Sequence, residues 1–76
     1  MAKAVLPELG ENITKATVSY WIFQVGQKVE EKQDLVELTT DKATFNLPSP
    51  SSGILKQILI QEGDIANVGD VLAEIE

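Results

Sequence analysis

Trp21-Ile22-Phe23-Gln24-Val25-Gly26 is rewritten as Ile58-Leu59-Ile60-Gln61-Glu62-Gly63, an offset of 37 residues (Gln24 to Gln61). The same offset carries Val18 to Leu55, Leu35 to Leu72, Glu37 to Glu74 and Leu38 to Ile75. Two copies do not make a solenoid, which needs roughly three or more units to bury a continuous core. The repeat therefore predicts two similar halves packed around one core. Each half reads as β structure: Ala43, Phe45 and Leu47 alternate with Thr44 and Asn46, and Val71, Ala73 and Ile75 alternate with Leu72 and Glu74. No segment sustains a 3.6-residue apolar period, so no helix is expected.

Alternation fails between Val18 and Trp21, and fails again at the repeat-related pair Leu55 and Ile58. A parity break that recurs at the repeat spacing predicts a β-bulge in each half. With glycines marking the turns, eight short strands are expected near 3–6, 16–23, 28–29, 35–40, 43–47, 54–60, 65–66 and 71–75. Pro48-Ser49-Pro50-Ser51-Ser52-Gly53 is the one biased stretch. Its flanks are each too short to build a core alone, so it reads as a bend between the halves rather than an interdomain linker. Pro48 and Pro50 donate no ladder hydrogen bonds and belong at an edge or corner.

Composition narrows the function. The 76 residues are 43% hydrophobic and 24% charged, the mix of one small globular domain spanning 1–76. There is no Cys and no His, which removes disulfides, thiolate nucleophiles, the usual zinc ligands and the commonest general base. Six lysines without arginine, against twelve acidic residues, give a net charge of -6. That surface repels nucleic-acid phosphates and anionic membranes, and no apolar run reaches the ~20 residues that a membrane span needs. Most carboxylates fall where turns and solvated strand faces put them, Trp21 and Phe23 read as core, and no Gly-rich loop precedes a helix.

Lys42 differs from the other lysines by its place. It sits between two strand signals in Thr39-Thr40-Asp41-Lys42-Ala43-Thr44, close to the centre of the repeat. If 35–40 and 43–47 pair, Asp41-Lys42 forms a hairpin tip. Asp suits such a turn because its short side chain bonds nearby amides, although the Asn-Gly or Asp-Gly signature is missing.

At these residues the sequence resembles a known family, the lipoyl domains of the dihydrolipoamide acyltransferase subunits of 2-oxo acid dehydrogenase complexes. Leu6-Pro7-Glu8-Leu9-Gly10-Glu11 is similar to that family's opening, and Thr40-Asp41-Lys42-Ala43 to its lipoylation motif. Leu47-Pro48-Ser49-Pro50 with Gly53, then Glu62-Gly63-Asp64, Val68-Gly69, Leu72 and Ile75-Glu76, follow in the family's order. Two positions depart from it: Thr39 stands where Glu is frequent, and Lys32 where Gly is frequent and where the second half has Gly69.

The resemblance implies an all-β fold, a flattened eight-stranded barrel of two similar four-stranded sheets with quasi-two-fold symmetry. It implies a non-catalytic carrier with lipoate amide-linked to Lys42, flanked by the recognition residues Asp41 and Ala43, and no metal. The arm would visit the decarboxylase subunit, the acyltransferase catalytic domain and dihydrolipoamide dehydrogenase, after loading by a lipoate-attaching enzyme. The loop around 8–15 would lie near the lipoylated turn, with Glu11 and Asn12 as candidates for partner recognition. The isolated domain is expected to be a monomer excised from a longer acyltransferase of the bacterial cytoplasm or, second, the mitochondrial matrix. Two alternatives stand beside the lipoyl carrier. One is a biotinyl carrier, disfavoured because its lysine is usually flanked by Met. The other is an unmodified structural or interaction barrel.

Overall fold

A computed structural model describes residues 2–10 and 12–76. Its strands are β1 (Ala2–Val5), β2 (Lys15–Trp21), β3 (Lys28–Val29), β4 (Asp34–Thr39), β5 (Thr44–Pro48), β6 (Gly53–Ile58), β7 (Ile65–Asn67) and β8 (Val71–Ile75). All ladders are antiparallel. One sheet has the order β1-β8-β6-β3 and the other β5-β4-β2-β7. Among the described residues there is no helix. The eight strands and the two sheets expected from the sequence are present.

The halves do not each form a sheet. β1 and β3 of the first half pair with β8 and β6 of the second, while β2 and β4 pair with β7 and β5. The offset of 37 relates β2, β3 and β4 to β6, β7 and β8, but β1 maps onto β5 at 42 (Ala2 to Thr44). The difference is one loop. The connection from β1 to β2 runs over 6–14, whereas the equivalent one from β5 to β6 covers only 49–52. The strand exchange means that neither half can bury its apolar face without the other.

Bulges account for the sequence pattern. Between β2 and β4, Val18 pairs with Leu38 and Tyr20 with Glu37, leaving Ser19 as the extra residue. Between β6 and β8, Leu55 pairs with Ile75 and Gln57 with Glu74, leaving Lys56, the repeat partner of Ser19. These are the two predicted bulges. A second symmetric pair lies at Leu35 and Leu72, each skipped in its ladder. A skipped residue shifts parity, and Leu35-Val36 and Leu72-Ala73 are accordingly buried in succession.

The core draws equally on both copies: Val18 with Leu55, Leu38 with Ile75, Leu35 with Leu72, and Val29 with Ala66 are all buried. Each large aliphatic side chain so buried contributes about 1.5–3 kcal/mol. Trp21 and Phe23 are only half-buried and pack against this core from outside. They line a surface hollow of about 410 Å³ with Gln24, Val25, Ile58, Gln61 and Glu62. The Trp21 indole donates to the Ile60 carbonyl at 2.9 Å, so its polar edge is satisfied.

Loop hydrogen bonds repeat too. Gly26 N–H donates to Leu55 O and Gly63 N–H to Val18 O, both at 2.8 Å. Lys32 N–H donates to Ser49 O and Gly69 N–H to Leu6 O, both at 2.9 Å. Gly69 makes its turn at φ 94°, and Lys32 makes the equivalent one at φ 73°. The lysine that replaces glycine there keeps the left-handed turn instead of changing it. The Pro48–Gly53 stretch carries the chain from edge strand β5 into the opposite sheet, with Ser49 buried and its hydroxyl donating to Ser51 O at 2.8 Å.

Candidate functional site

The β4–β5 hairpin begins on the core and ends in solvent. Val36 pairs with Leu47, Leu38 with Phe45 and Thr39 with Thr44. Leu38 and Leu47 are buried, Phe45 is half-buried, and Thr39 and Thr44 are exposed. The apolar end anchors the ladder, so the four residues 40–43 are held away from the barrel. Ala43, read from the sequence as the first residue of a strand, lies in this turn and is exposed.

The turn is built by Thr40 rather than Asp41. Thr40 N–H donates to Ala43 O at 2.8 Å. The Thr40 hydroxyl donates to the same carbonyl at 3.0 Å and accepts from Ala43 N–H at 3.1 Å and Lys42 N–H at 3.3 Å. A threonine at the start of a turn can imitate a backbone turn in this way. The sequence reading gave the capping role to Asp41, one residue too late. Asp41 and Lys42 also avoid positive φ among the described residues, so a turn of this length has no need of the Asn-Gly signature. Thr39, where acyltransferase lipoyl domains often have Glu, hydrogen-bonds through its hydroxyl to Ser19, the bulged residue of β2.

Lys42 is exposed at this tip, with Asp41 and Ala43 exposed on either side. The ion pair found among the described residues, Lys56 with Glu76 at 3.8 Å, does not involve it. The amine is therefore presented on a base fixed by the turn's hydrogen bonds. No group of acidic residues is placed to hold a metal among the described residues.

Beside the tip runs a groove of about 150 Å³. Its walls are residues 12–17 of the β1–β2 loop and β2, residues 39–42, and Ile65 of β7. Asn12, one of the two candidate recognition residues, lines it in a left-handed conformation (φ 66°) that Asn tolerates. Glu11, the other, lies outside the described residues. The loop is tied to the second half by Val68 N–H donating to Thr14 O at 2.9 Å. The sequence reading missed Ile13, Thr17 and Ile65 as groove residues. A signal existed for Ile65, whose repeat partner is Lys28.

Comparison with known proteins places these features in a family. A family model described as "Biotin-requiring enzyme" (biotin/lipoyl) matches residues 3–75. The chain is 43% identical over 92% of its length to the dihydrolipoyllysine-residue acetyltransferase component of the pyruvate dehydrogenase complex of Corynebacterium glutamicum. It is 39% identical over 99% of its length to the dihydrolipoyllysine-residue succinyltransferase component of the 2-oxoglutarate dehydrogenase complex of Staphylococcus saprophyticus. It spans 10% and 18% of those two proteins. The solution structure of the lipoyl domain of the 2-oxoglutarate dehydrogenase complex from Azotobacter vinelandii superposes with a TM-score of 0.77 at 26% identity, covering 99% of this chain and 96% of that one.

Proposed function

We propose, from the premise that this chain belongs to the biotin- and lipoyl-attachment family and is a lipoyl carrier domain, that Lys42 is the residue that bears lipoate. The observation that carries the reading is the exposed amine in the middle of a hydrogen-bonded turn at the end of a core-anchored hairpin. Attachment forms an amide between Nζ and the lipoyl carboxyl carbon. The activating group leaves that carbon, and the amine proton passes to solvent. Lysine suits the task because its stem is long and flexible.

When bound, lipoate supplies a dithiolane that alternates between reduced and oxidised forms and accepts acyl groups. The chain's own contribution is positional. The hairpin fixes where the arm starts, and the tether raises its local concentration at each site that it visits. The sites implied by kinship are those of a 2-oxo acid decarboxylase, an acyltransferase and dihydrolipoamide dehydrogenase, after loading by a lipoate-attaching enzyme. Asp41 and Ala43 favour lipoate over biotin, since biotinyl domains usually place Met beside the lysine.

Co-expression with a lipoate ligase, followed by intact-mass measurement, tests the assignment. The wild-type chain gains one lipoyl group, and Lys42→Arg gains none while keeping its circular dichroism spectrum. Lipoylation that persists in Lys42→Arg would move the site elsewhere. A chain that gains biotin, and not lipoate, from the matching ligases would favour the biotinyl reading.

A further inference from the structure

We propose that the groove beside the hairpin tip is a resting site for the arm itself, in which the dithiolane ring and its neighbouring methylenes lie against Ile13 and Ile65. This rests on the assignment of lipoate to Lys42. The occupant follows from covalent continuity, because Lys42 is itself part of the groove wall. A group joined to its amine meets this surface at high effective concentration before it meets any other.

Two large apolar side chains, Ile13 and Ile65, stand among otherwise polar walls and offer an apolar ring its contacts. Ile65 is 56% exposed, among the most exposed large apolar side chains of the described residues. It projects from β7 beside Thr17, which in turn pairs with Thr39 at the base of the tip. Ile13, half-buried, contributes to the wall from the β1–β2 loop, while Ala16 on β2 is buried in the core. The charged residues on the wall are Lys15, Asp41 and Lys42 itself, and amide formation removes the charge of the last.

The internal symmetry supplies a second argument. Ile65 stands where the first half has the exposed Lys28, and Ile13 belongs to the longer loop, 6–14, for which 49–52 is the shorter equivalent. Both apolar walls are thus departures from the repeat, and both fall on the side that carries the attachment turn. Packing alone does not require them, since the opposite corner is built without them.

A resting arm trades exposure for reach. Parking of about half of the arms at any moment would shield the dithiolane without withholding it.

The test uses the lipoylated domain with isotope-labelled isoleucine methyls, after intact mass has established a single lipoyl group on Lys42. Parking predicts nuclear Overhauser effects between dithiolane protons and the Ile13 and Ile65 methyls, absent from the unmodified domain. It also predicts that a water-soluble phosphine, which supplies the electrons to open the ring, reduces the arm about twofold more slowly than lipoylated Ile65→Thr, as equal parked and free populations require. Threonine is chosen because it suits the strand and leaves the exposed position filled. If mass confirms the group on Lys42 but the methyls do not respond and both reduction rates agree, the resting site is refuted while the carrier assignment stands. If Lys42 takes no lipoyl group, both fall together.

Discussion

Replacing Thr40 with Val removes one hydroxyl and nearly nothing else. Valine keeps the β-branch and the volume, and the backbone bond from residue 40 N–H to Ala43 O at 2.8 Å survives. Lost are the hydroxyl's bonds with Ala43 O at 3.0 Å, Ala43 N–H at 3.1 Å and Lys42 N–H at 3.3 Å. The freed groups are exposed and re-bond to water, and the 3.3 Å bond is too long to count for much, so the two shorter ones at about 0.5 kcal/mol each give a sum of roughly 1 kcal/mol. That corresponds to about a fivefold change in the opening equilibrium of the turn. Native-state hydrogen exchange at residues 40, 42 and 43 should accelerate by about that factor, while amides in β2 and β8 stay protected. Lipoylation should slow by up to about fivefold if the ligase engages the closed turn. Thr40→Ser, which restores the hydroxyl, should recover both. Exchange and lipoylation rates in Thr40→Val equal to wild type would show that the ladder alone sets the turn and that the threonine is incidental.

Lys32 occupies a left-handed turn at φ 73°, where its repeat partner is Gly69. A side chain there costs roughly 1–2 kcal/mol, against ~0.5–1 for the extra freedom that glycine loses on folding. Lys32→Gly should therefore raise stability by about 0.5–1 kcal/mol and the melting temperature by a few degrees, measured by calorimetry; a lower melting temperature would contradict the strain argument. Gly53 has no room for a side chain, because a Cβ would strike the Glu76 carbonyl. That carbonyl accepts from Ile54 N–H, and Glu76 N–H donates to Ile54 O, both at 2.9 Å. Gly53→Ala should lower the urea midpoint by an amount equivalent to roughly 1–3 kcal/mol, and an unchanged midpoint would mean that the β6–β8 junction yields freely.

Much of the fold was legible because a repeat shows each signal twice. The bulges at Ser19 and Lys56 were readable as parity breaks at matching positions. The bulges at Leu35 and Leu72 were not read, because two adjacent apolar residues look like noise on an alternating strand. Strand ends were overrun for the same kind of reason. The apolar alternation continues through Phe23 and Ile60, but the strands stop at Trp21 and Ile58. Pairing carries on only one residue further, with Ile22 N–H donating to Leu35 O at 3.0 Å and Leu59 N–H to Leu72 O at 2.8 Å, before the chain enters turns closed by Gln27 N–H to Gln24 O and Asp64 N–H to Gln61 O, both at 3.1 Å. The exchange of strands between halves left no mark at all, since the same offset arises whether the halves pack side by side or interleave. At the site, Lys42 was legible from its place between strands. The role of Thr40 hangs on the orientation of one hydroxyl. The groove joins Ile13 to Ile65, which only the folded chain brings together.

The pseudo-two-fold places a junction between outer strands in each sheet, yet the two junctions are not alike. In one sheet β4 and β5 are joined by the turn that carries Lys42; in the other, β8 and β1 lie side by side, Ile75 opposite Ala2, with no turn between them. A barrel with two continuous corners would offer a modifying enzyme two similar hairpins, and nothing in its geometry would count them. Here the second corner is left unstitched, so no decoy competes with the first. On the assignment of lipoate to Lys42, this connectivity would present a modifying enzyme with a single corner hairpin, and so with one place for the arm.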